Sequence, residues 1–432
     1  MICLRRAAVA IGLVLALATG RPAAAADFAA ELQALLYAGK LPEAASLATQ
    51  RLAAAPEDDQ ARFALGAAQF LLAVEHLGQG LYRYGLIAEH SDPTGLGGLP
   101  LLRLPVPLNR APQPVTYEAL RGVLAGFVAD LEPAERTLSG VTHAEFSLPI
   151  ELGKVRLDLD GDGAAGPDEA LWMLFQRVAN IAWLDAPAAA QLTVAFDAGD
   201  AAWLQAYCNL LMAFDEFVLG HDWHEAFDAT FHNLFLRADT PLGRLDRAAM
   251  AEALAGGAQS EQAAALRERA EMAGIADLVA FVHLVRWPVA DPARLKSSLG
   301  HLEGMVRASR ESWRRILAET DDDREWIPNP KQHGVLRTMP LSAEQIAAWN
   351  HLLDGLEAIL AGRVLIPHWR FAEGLNVRRM FLEPTTFDLV LLIQGSAAIP
   401  YLEKGPLAEG QSWGALLDVF GGGFLDYAAW LN

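Results

Sequence analysis

The sequence has few cysteines and few basic residues. Of 432 residues, two are cysteine, and 34 Lys and Arg stand against 53 Asp and Glu, which gives a formal net charge of −19 at pH 7. This excess of negative charge disfavours nucleic acid and anionic lipid surfaces as partners, because the long-range field of the protein repels them. Hydrophobic residues make up 53% of the chain, which is ample for a large core.

Short motifs that identify common enzyme classes are also absent. The sequence contains no G-x-S-x-G elbow, no G-x-x-x-x-G-K-[ST] phosphate loop, and no dinucleotide fingerprint between a strand and a helix. Aspartates and histidines are numerous enough to assemble a site in three dimensions. Whether the chain is an enzyme therefore stays open.

The N-terminus has the pattern of a secretory signal peptide over residues 1–26. Arg5 and Arg6 precede an apolar run at 7–18, and three alanines before Asp27 offer a cleavage site. The run is shorter than the roughly 20 residues that a bilayer requires. We therefore expect a periplasmic or secreted protein with no membrane span in the mature chain. Cleavage would leave Cys208 without an intramolecular disulfide partner, as a buried structural thiol.

The most specific motif is an acidic stretch at 158–169, which reads D-L-D-G-D-G-A-A-G-P-D-E. A Ca²⁺ ion needs roughly six to eight oxygens, and carboxylates two residues apart converge on one point only if the backbone wraps around that point. Gly163 permits such a sharp turn. The stretch resembles the calcium loop of an EF-hand at every specified position.

The resemblance implies Ca²⁺ as the cofactor, bound by five residues: Asp158, Asp160, Asp162, the backbone carbonyl of Ala164, and both oxygens of Glu169. The eighth loop position, usually a branched apolar residue that pairs with a second hand, is Ala165, and the sequence contains no second loop of this kind. A single EF-hand is typical of a structural calcium site, since the conformational opening used in calcium signalling depends on paired EF-hands. The alternative is a surface turn rich in Asp and Gly that binds no metal.

The segments that flank this loop predict different structures on its two sides. Pro149 and Gly153 interrupt any helix before the loop, and the alternation at 154–159 predicts strand or coil. After the loop, helical spacing predicts a helix from about Asp168 to Trp183. Glu169 would then lie in the first helical turn, where a carboxylate suits the helix dipole.

Residues 27–91 predict short amphipathic helices rich in Ala and Leu. Their turn, packing and terminating positions match a tetratricopeptide repeat: Gly39, Leu41, Ala44, Leu52, Pro56 and the pair Leu65-Gly66. The segment therefore resembles a degenerate hairpin of this family, covering about one and a half repeats. The resemblance implies a protein or peptide partner. The alternative is a hairpin that packs on the rest of the chain.

The remaining sequence divides into three regions. A linker or surface loop rich in Pro and Gly is predicted at 92–116, the calcium-loop region at 117–199, and a helical region at 200–432 that packs with the preceding region as one domain. Helices are expected at 117–131, ended by Pro133, and then at 134–139, 201–219, 223–237, 260–287, 292–319 and 343–362. The predicted fold class is mainly α, a multi-helix assembly with few short strands.

One predicted helix carries a second candidate metal site. His224 and Asp228 lie one turn apart, with His221 one turn before them, and imidazoles and carboxylates so spaced could bind zinc or iron with ligands from elsewhere. His224 and His232 are about 12 Å apart along the helix axis and cannot share one ion. A polar helix face without metal is the alternative interpretation.

These patterns together predict an exported calcium-binding protein with a structural Ca²⁺ site, which acts as a binding or scaffold module for a protein or ligand. The alternative is a metal-assisted hydrolase of the cell envelope that uses His221, His224 and Asp228. The sequence leaves the oligomeric state open.

Overall fold

The structure, a computed structural model, describes residues 27–87, 104–142, 146–178, 186–245, 273, 275–336, 341–408, 414, 417–420, 428, 430 and 431. The predicted signal peptide lies outside these residues, as do residues 92–103 of the predicted linker and the first part of the helix predicted at 260–287. The described chain is mainly helical with a few short strands, which confirms the predicted fold class.

The helices follow one another in chain order: α1 (27–37), α2 (Leu41–Ala54), α3 (Asp59–Arg83), α4 (Tyr117–Leu138), α5 (Leu171–Val178), α6 (Ala186–Ala189), α7 (Ala198–Leu219), α8 (His224–Thr230), α9 (241–245), α10 (275–284), α11 (Pro292–Ile316), α12 (Ala343–Leu360), α13 (Val377–Leu382) and α14 (Leu389–Gln394). The strands are β1 (Leu148–Glu151), β2 (Thr193–Phe196), β3 (Arg286–Trp287), β4 (Ile366–Pro367), β5 (Gly374–Leu375), β6 (Phe387–Asp388) and β7 (Leu402–Glu403).

Polar side chains set the starts of the long helices. The carboxylate of Asp58 accepts the backbone N–H of Ala61 at the start of α3. At the start of α11, Asp291 accepts the N–H of Ala293, and Pro292 occupies the first turn, where its missing N–H costs nothing. Local sequence therefore determines where these helices begin.

Helix α4 continues without a break to Leu138, so the predicted end before Pro133 was wrong. Pro133 has no N–H and therefore leaves the carbonyl four residues earlier without its helical hydrogen bond. Leu131 and Ala134, on either side of the proline, are fully buried. Packing of these neighbours in the core outweighs the local cost and carries the helix through the proline.

The long helices form a row in which each packs on the next. Helix α3 packs on α2 and α4, α7 packs on α4 and α11, and α12 and α13 pack on α11. One apolar cluster runs through this row from α1 to the last helical residues, and it includes the buried Cys208, as predicted. No helix among the described residues combines the length and the apolar character that crossing a membrane demands.

The strands are short and join distant parts of the chain. Strands β1 and β2 are antiparallel, with Leu148 opposite Phe196 and Glu151 opposite Thr193. Strand β3 pairs with β6, and β4, β5 and β7 form a three-stranded sheet in that spatial order. Strand β1 brings the chain to the calcium-type loop.

Candidate calcium site

The loop at 158–169 is entered through extended chain and left through a helix. Arg156 and Ala170 form an antiparallel bridge, and the N–H of Leu171 donates to the carbonyl of Val155 at 2.9 Å. A short 3₁₀ turn at Pro167–Glu169 then leads into α5. The two ends of the loop are therefore held together at its base. The far end of the predicted exit helix lies outside the described residues.

Asp158 organises the backbone of the loop. Its Oδ1 accepts the N–H of Gly161 at 2.8 Å and of Asp162 at 3.2 Å, and its Oδ2 accepts the N–H of Gly163 at 3.0 Å. The φ angles of Gly161 and Gly163 are +74° and +87°, in the left-handed region that glycine adopts at no steric cost. The chain therefore wraps around a single carboxylate, as the motif requires.

Three aspartates converge within this wrapped backbone. Asp158, Asp160 and Asp162 each place a carboxylate oxygen so that the three atoms lie within 4.8 Å of one another. Ligand oxygens lie about 2.3–2.6 Å from Ca²⁺, so two ligands on opposite sides of the ion are at most about 5 Å apart. The spacing of the three oxygens therefore fits one Ca²⁺ ion.

Glu169 lies buried at the end of the loop. Its Oε1 accepts the N–H groups of Leu159 at 2.8 Å and of Asp160 at 3.2 Å, and its Oε2 accepts the N–H of Gly166 at 2.6 Å. A carboxylate oxygen has two lone pairs, so Oε2 keeps one for an ion, and Oε1 gains one if the longer bond opens. Coordination by both oxygens of Glu169, and by the carbonyl of Ala164, stays a prediction.

Two carboxylates of the loop, those of Asp160 and Glu169, have raised pKa values. Burial is the main cause that raises the pKa of Glu169, and the pKa of Asp160 is raised by desolvation and then by its neighbours Asp162 and Asp158. Each shift reflects the cost of holding negative charge away from water and beside like charge. A divalent cation in the loop would reduce that cost, since it would be the largest charge nearby.

Helix α3 borders the loop and contributes residues that sequence spacing could not identify. Glu75 Oε2 accepts the backbone N–H of Asp158 at 2.7 Å, and Gln79 Nε2 donates to the backbone oxygen of Asp158 at 2.9 Å. Glu75 is 5% exposed, and its burial raises the pKa of its carboxyl to about 7. These residues are 83 and 79 positions from Asp158, so no motif connects them.

The three residues of the second predicted metal site, His221, His224 and Asp228, lie in different environments. The Nδ1 of the buried His221 lies 2.8 Å from the carbonyl oxygen of Phe217. His224 stacks on Tyr117, and its Nε2 lies 3.8 Å from an oxygen of the half-buried Asp228. In the described part of the chain these three residues do not form a group of ligand atoms within 4.8 Å of one another. A transition metal held with ligands from elsewhere stays a prediction.

A second carboxylate cluster, which the sequence did not predict, lies at the start of α7. Asp197, Glu319 and Glu325 each place one oxygen within 4.8 Å of the others. The carboxylate of the buried Asp200 accepts the N–H of Asp197 at 3.1 Å. These residues come from two separate stretches of chain, 197–200 and 319–325, so no local motif joins them.

Protons stabilise this second cluster at neutral pH. Burial is the main cause that raises the pKa of Glu319 to about 8 and that of Glu325 to about 7. The pKa of Asp197 is raised as well, again mainly by burial. Protonation relieves the repulsion among these crowded carboxylates.

Comparison of the chain with models of protein families, with curated proteins and with solved structures found no match. The geometry of the loop at 158–169 therefore carries the functional inference.

Proposed function

We propose that this chain is an exported calcium-binding protein in which a Ca²⁺ ion at residues 158–169 has a structural role. The observation that carries the proposal is the convergence of Asp158, Asp160 and Asp162 within 4.8 Å inside a backbone turned by two glycines. Extracellular calcium modules bind with a Kd of roughly 10⁻⁴ to 10⁻³ M. A weak site of this type would stay loaded outside the cytoplasm.

The expected gain in stability is modest. An ion that binds only the folded protein adds RT ln(1 + [L]/Kd), which is about 1.4 kcal/mol at ten times Kd. Globular proteins are stable by roughly 5–15 kcal/mol, so this gain fixes a loop without supplying most of the folding energy. The ion therefore acts as a clamp between extended chain and α5, in a protein that works as a binding or scaffold module for a protein or ligand.

Thermal unfolding with Ca²⁺ and with chelator tests the proposal. We expect chelator to lower the wild-type midpoint by about 1.5 °C at ten times Kd, given the calcium term above. Asp160→Ala should lose this dependence, because it removes one of the converging carboxylates. Asp168→Ala is the matched control, since this exposed loop residue is outside the cluster. If chelator leaves the wild-type thermal midpoint unchanged, the proposal is refuted.

A metal-assisted hydrolase is the second candidate, favoured by the 3.8 Å approach of the exposed His224 to the half-buried Asp228. Metal analysis of the purified protein separates the two functions. Calcium alone supports the first. Stoichiometric zinc or iron that His224→Ala removes supports the hydrolase.

A further inference from the structure

The N-terminal helices cover one side of the calcium-type loop. Gly39, in the turn between α1 and α2, lies so close to Ala165 that a Cβ added at Gly39 would be 2.3 Å from the Cβ of Ala165. Ala165 is the loop position that would face a second hand. The α1–α2 turn therefore packs against the side of the loop that would face a second EF-hand in a paired arrangement.

Further contacts run along the approach to the loop. Hydrogen bonds join α1 to this approach at three points: Gln33 Nε2 to Pro149 O at 2.6 Å, Glu151 N–H to Tyr37 Oη at 2.9 Å, and Arg156 N–H to Leu36 O at 3.1 Å. A Cβ at Gly78 of α3 would lie 2.6 Å from Leu159 Cδ2, inside the loop. Helices α1 to α3 thus fit the shape that the loop has in this structure.

Helix α3 also holds the first predicted ligand. Glu75 accepts the backbone N–H of Asp158, and Gln79 donates to its backbone oxygen. With both backbone polar groups fixed, the direction in which the Asp158 side chain leaves the backbone is fixed too. Glu75 is buried, and it does not belong to the converging group of Asp158, Asp160 and Asp162, so it acts on the site through the backbone of Asp158.

We propose that helices α1 to α3 form the second half of the calcium site, with Glu75 as its positioning residue. This inference rests on the proposed calcium function. The contacts of helices α1 to α3 require the loop to have the shape seen in this structure. Convergence of the three aspartates requires the same shape. Ca²⁺ binding and docking of the three helices therefore stabilise each other, and by thermodynamic linkage they do so to the same extent.

Calcium titration calorimetry tests the role of Glu75. Glu75→Leu removes the oxygen that accepts the Asp158 N–H, while Glu75→Gln keeps an accepting oxygen and removes only the charge. We expect Kd to rise roughly tenfold in Glu75→Leu, the lower end of the range for residues that support metal ligands, and much less in Glu75→Gln. Equal affinities in the two variants overturn the assignment.

Hydrogen exchange of the wild-type protein measures helix docking separately from ion binding. Ca²⁺ should slow amide exchange through local opening of α1 to α3 by up to the factor 1 + [L]/Kd, and should leave exchange through local opening of α12 unchanged. If the protein binds Ca²⁺ but the ion leaves the exchange rates in α1 to α3 unchanged, the inference fails and the proposed function stands. If the protein binds no Ca²⁺, both fail.

A second variant keeps the inference testable if Glu75→Leu does not fold. Gly39→Ala places a Cβ against Ala165 without altering any carboxylate. Gly362→Ala carries the same kind of backbone cost, at a φ of +71° against +68° for Gly39, in the turn after α12. Gly39→Ala should bind Ca²⁺ roughly tenfold more weakly than Gly362→Ala. Equal affinities overturn the inference.

Discussion

Gly163→Ala isolates the backbone cost of the turn on which the calcium site depends. Gly163 has a φ of +87°, and a Cβ built there meets no atom within 4 Å. The substitution therefore introduces no clash, and its cost is that of holding a residue with a side chain in the left-handed region, roughly 1–2 kcal/mol. If the ion-free loop relaxes, this cost is equivalent to a rise in Kd of about 5- to 30-fold.

The assay must measure both stability and calcium affinity, because the backbone cost of Gly163→Ala can appear in either quantity. If the ion-free loop keeps the turn, the ion-free protein is destabilised; if the loop relaxes, calcium affinity falls instead. At saturating Ca²⁺ the two effects add, so the free energy of unfolding falls by the full roughly 1–2 kcal/mol in either case. Denaturant unfolding in excess Ca²⁺ measures the sum, and calorimetric titration separates its parts.

Gly126→Ala supplies the matched control. A Cβ at Gly126 also meets nothing within 4 Å, but this glycine lies inside α4 and has no positive φ. Alanine there should stabilise the protein by about 0.5–1 kcal/mol. A Gly163→Ala protein that is as stable as wild type in excess Ca²⁺ would refute the reasoning, because the loop would then not hold this turn.

Two further predictions concern the rest of the molecule. The pKa values of Glu319 and Glu325 are raised from 4.5 to about 8 and about 7, so the native state binds more protons than the unfolded state, and stability falls as pH rises through this window. Glu319→Gln should flatten that fall in denaturant titrations from about pH 5 to about pH 8, and an unchanged slope would contradict the assignment. Leu353→Ala, at a position that is 0% exposed, should cost roughly 2–5 kcal/mol by the same method. Leu317→Ala, at a position that is 51% exposed, should cost less than about 0.5 kcal/mol, and equal costs would contradict the burial.

Sequence predicts the helices well where the signal is local. The cap and proline at Asp291 and Pro292 lie at the start of α11, and the capping box of Ser342 and Gln345 lies at the start of α12, both as their residue types indicate. Pro133 shows the limit of local rules. Its cost was correctly recognised, but burial of the residues beside it, which only the assembled core determines, outweighs that cost.

The candidate calcium site also has one part that the local sequence predicts and another part that it does not. Asp158, Asp160 and Asp162 could be predicted to converge because a short loop holds them all. Glu75 could not be connected with Asp158, because 83 positions separate them and the packing of α3 alone brings them together. The cluster around Asp197 joins two distant stretches, 197–200 and 319–325, for the same reason. Tertiary contacts of this kind have no periodicity or spacing that a sequence records.

The most direct test of calcium binding is titration calorimetry of wild type and Asp160→Ala under the same conditions. Asp160 is the informative position, because its carboxylate belongs to the converging group and its backbone N–H contacts Glu169. We predict one Ca²⁺ per wild-type chain with a Kd of about 10⁻³ M or tighter, and no binding at that site in Asp160→Ala. A wild-type chain that binds no Ca²⁺, or an Asp160→Ala chain that binds it equally well, would contradict a calcium site at residues 158–169.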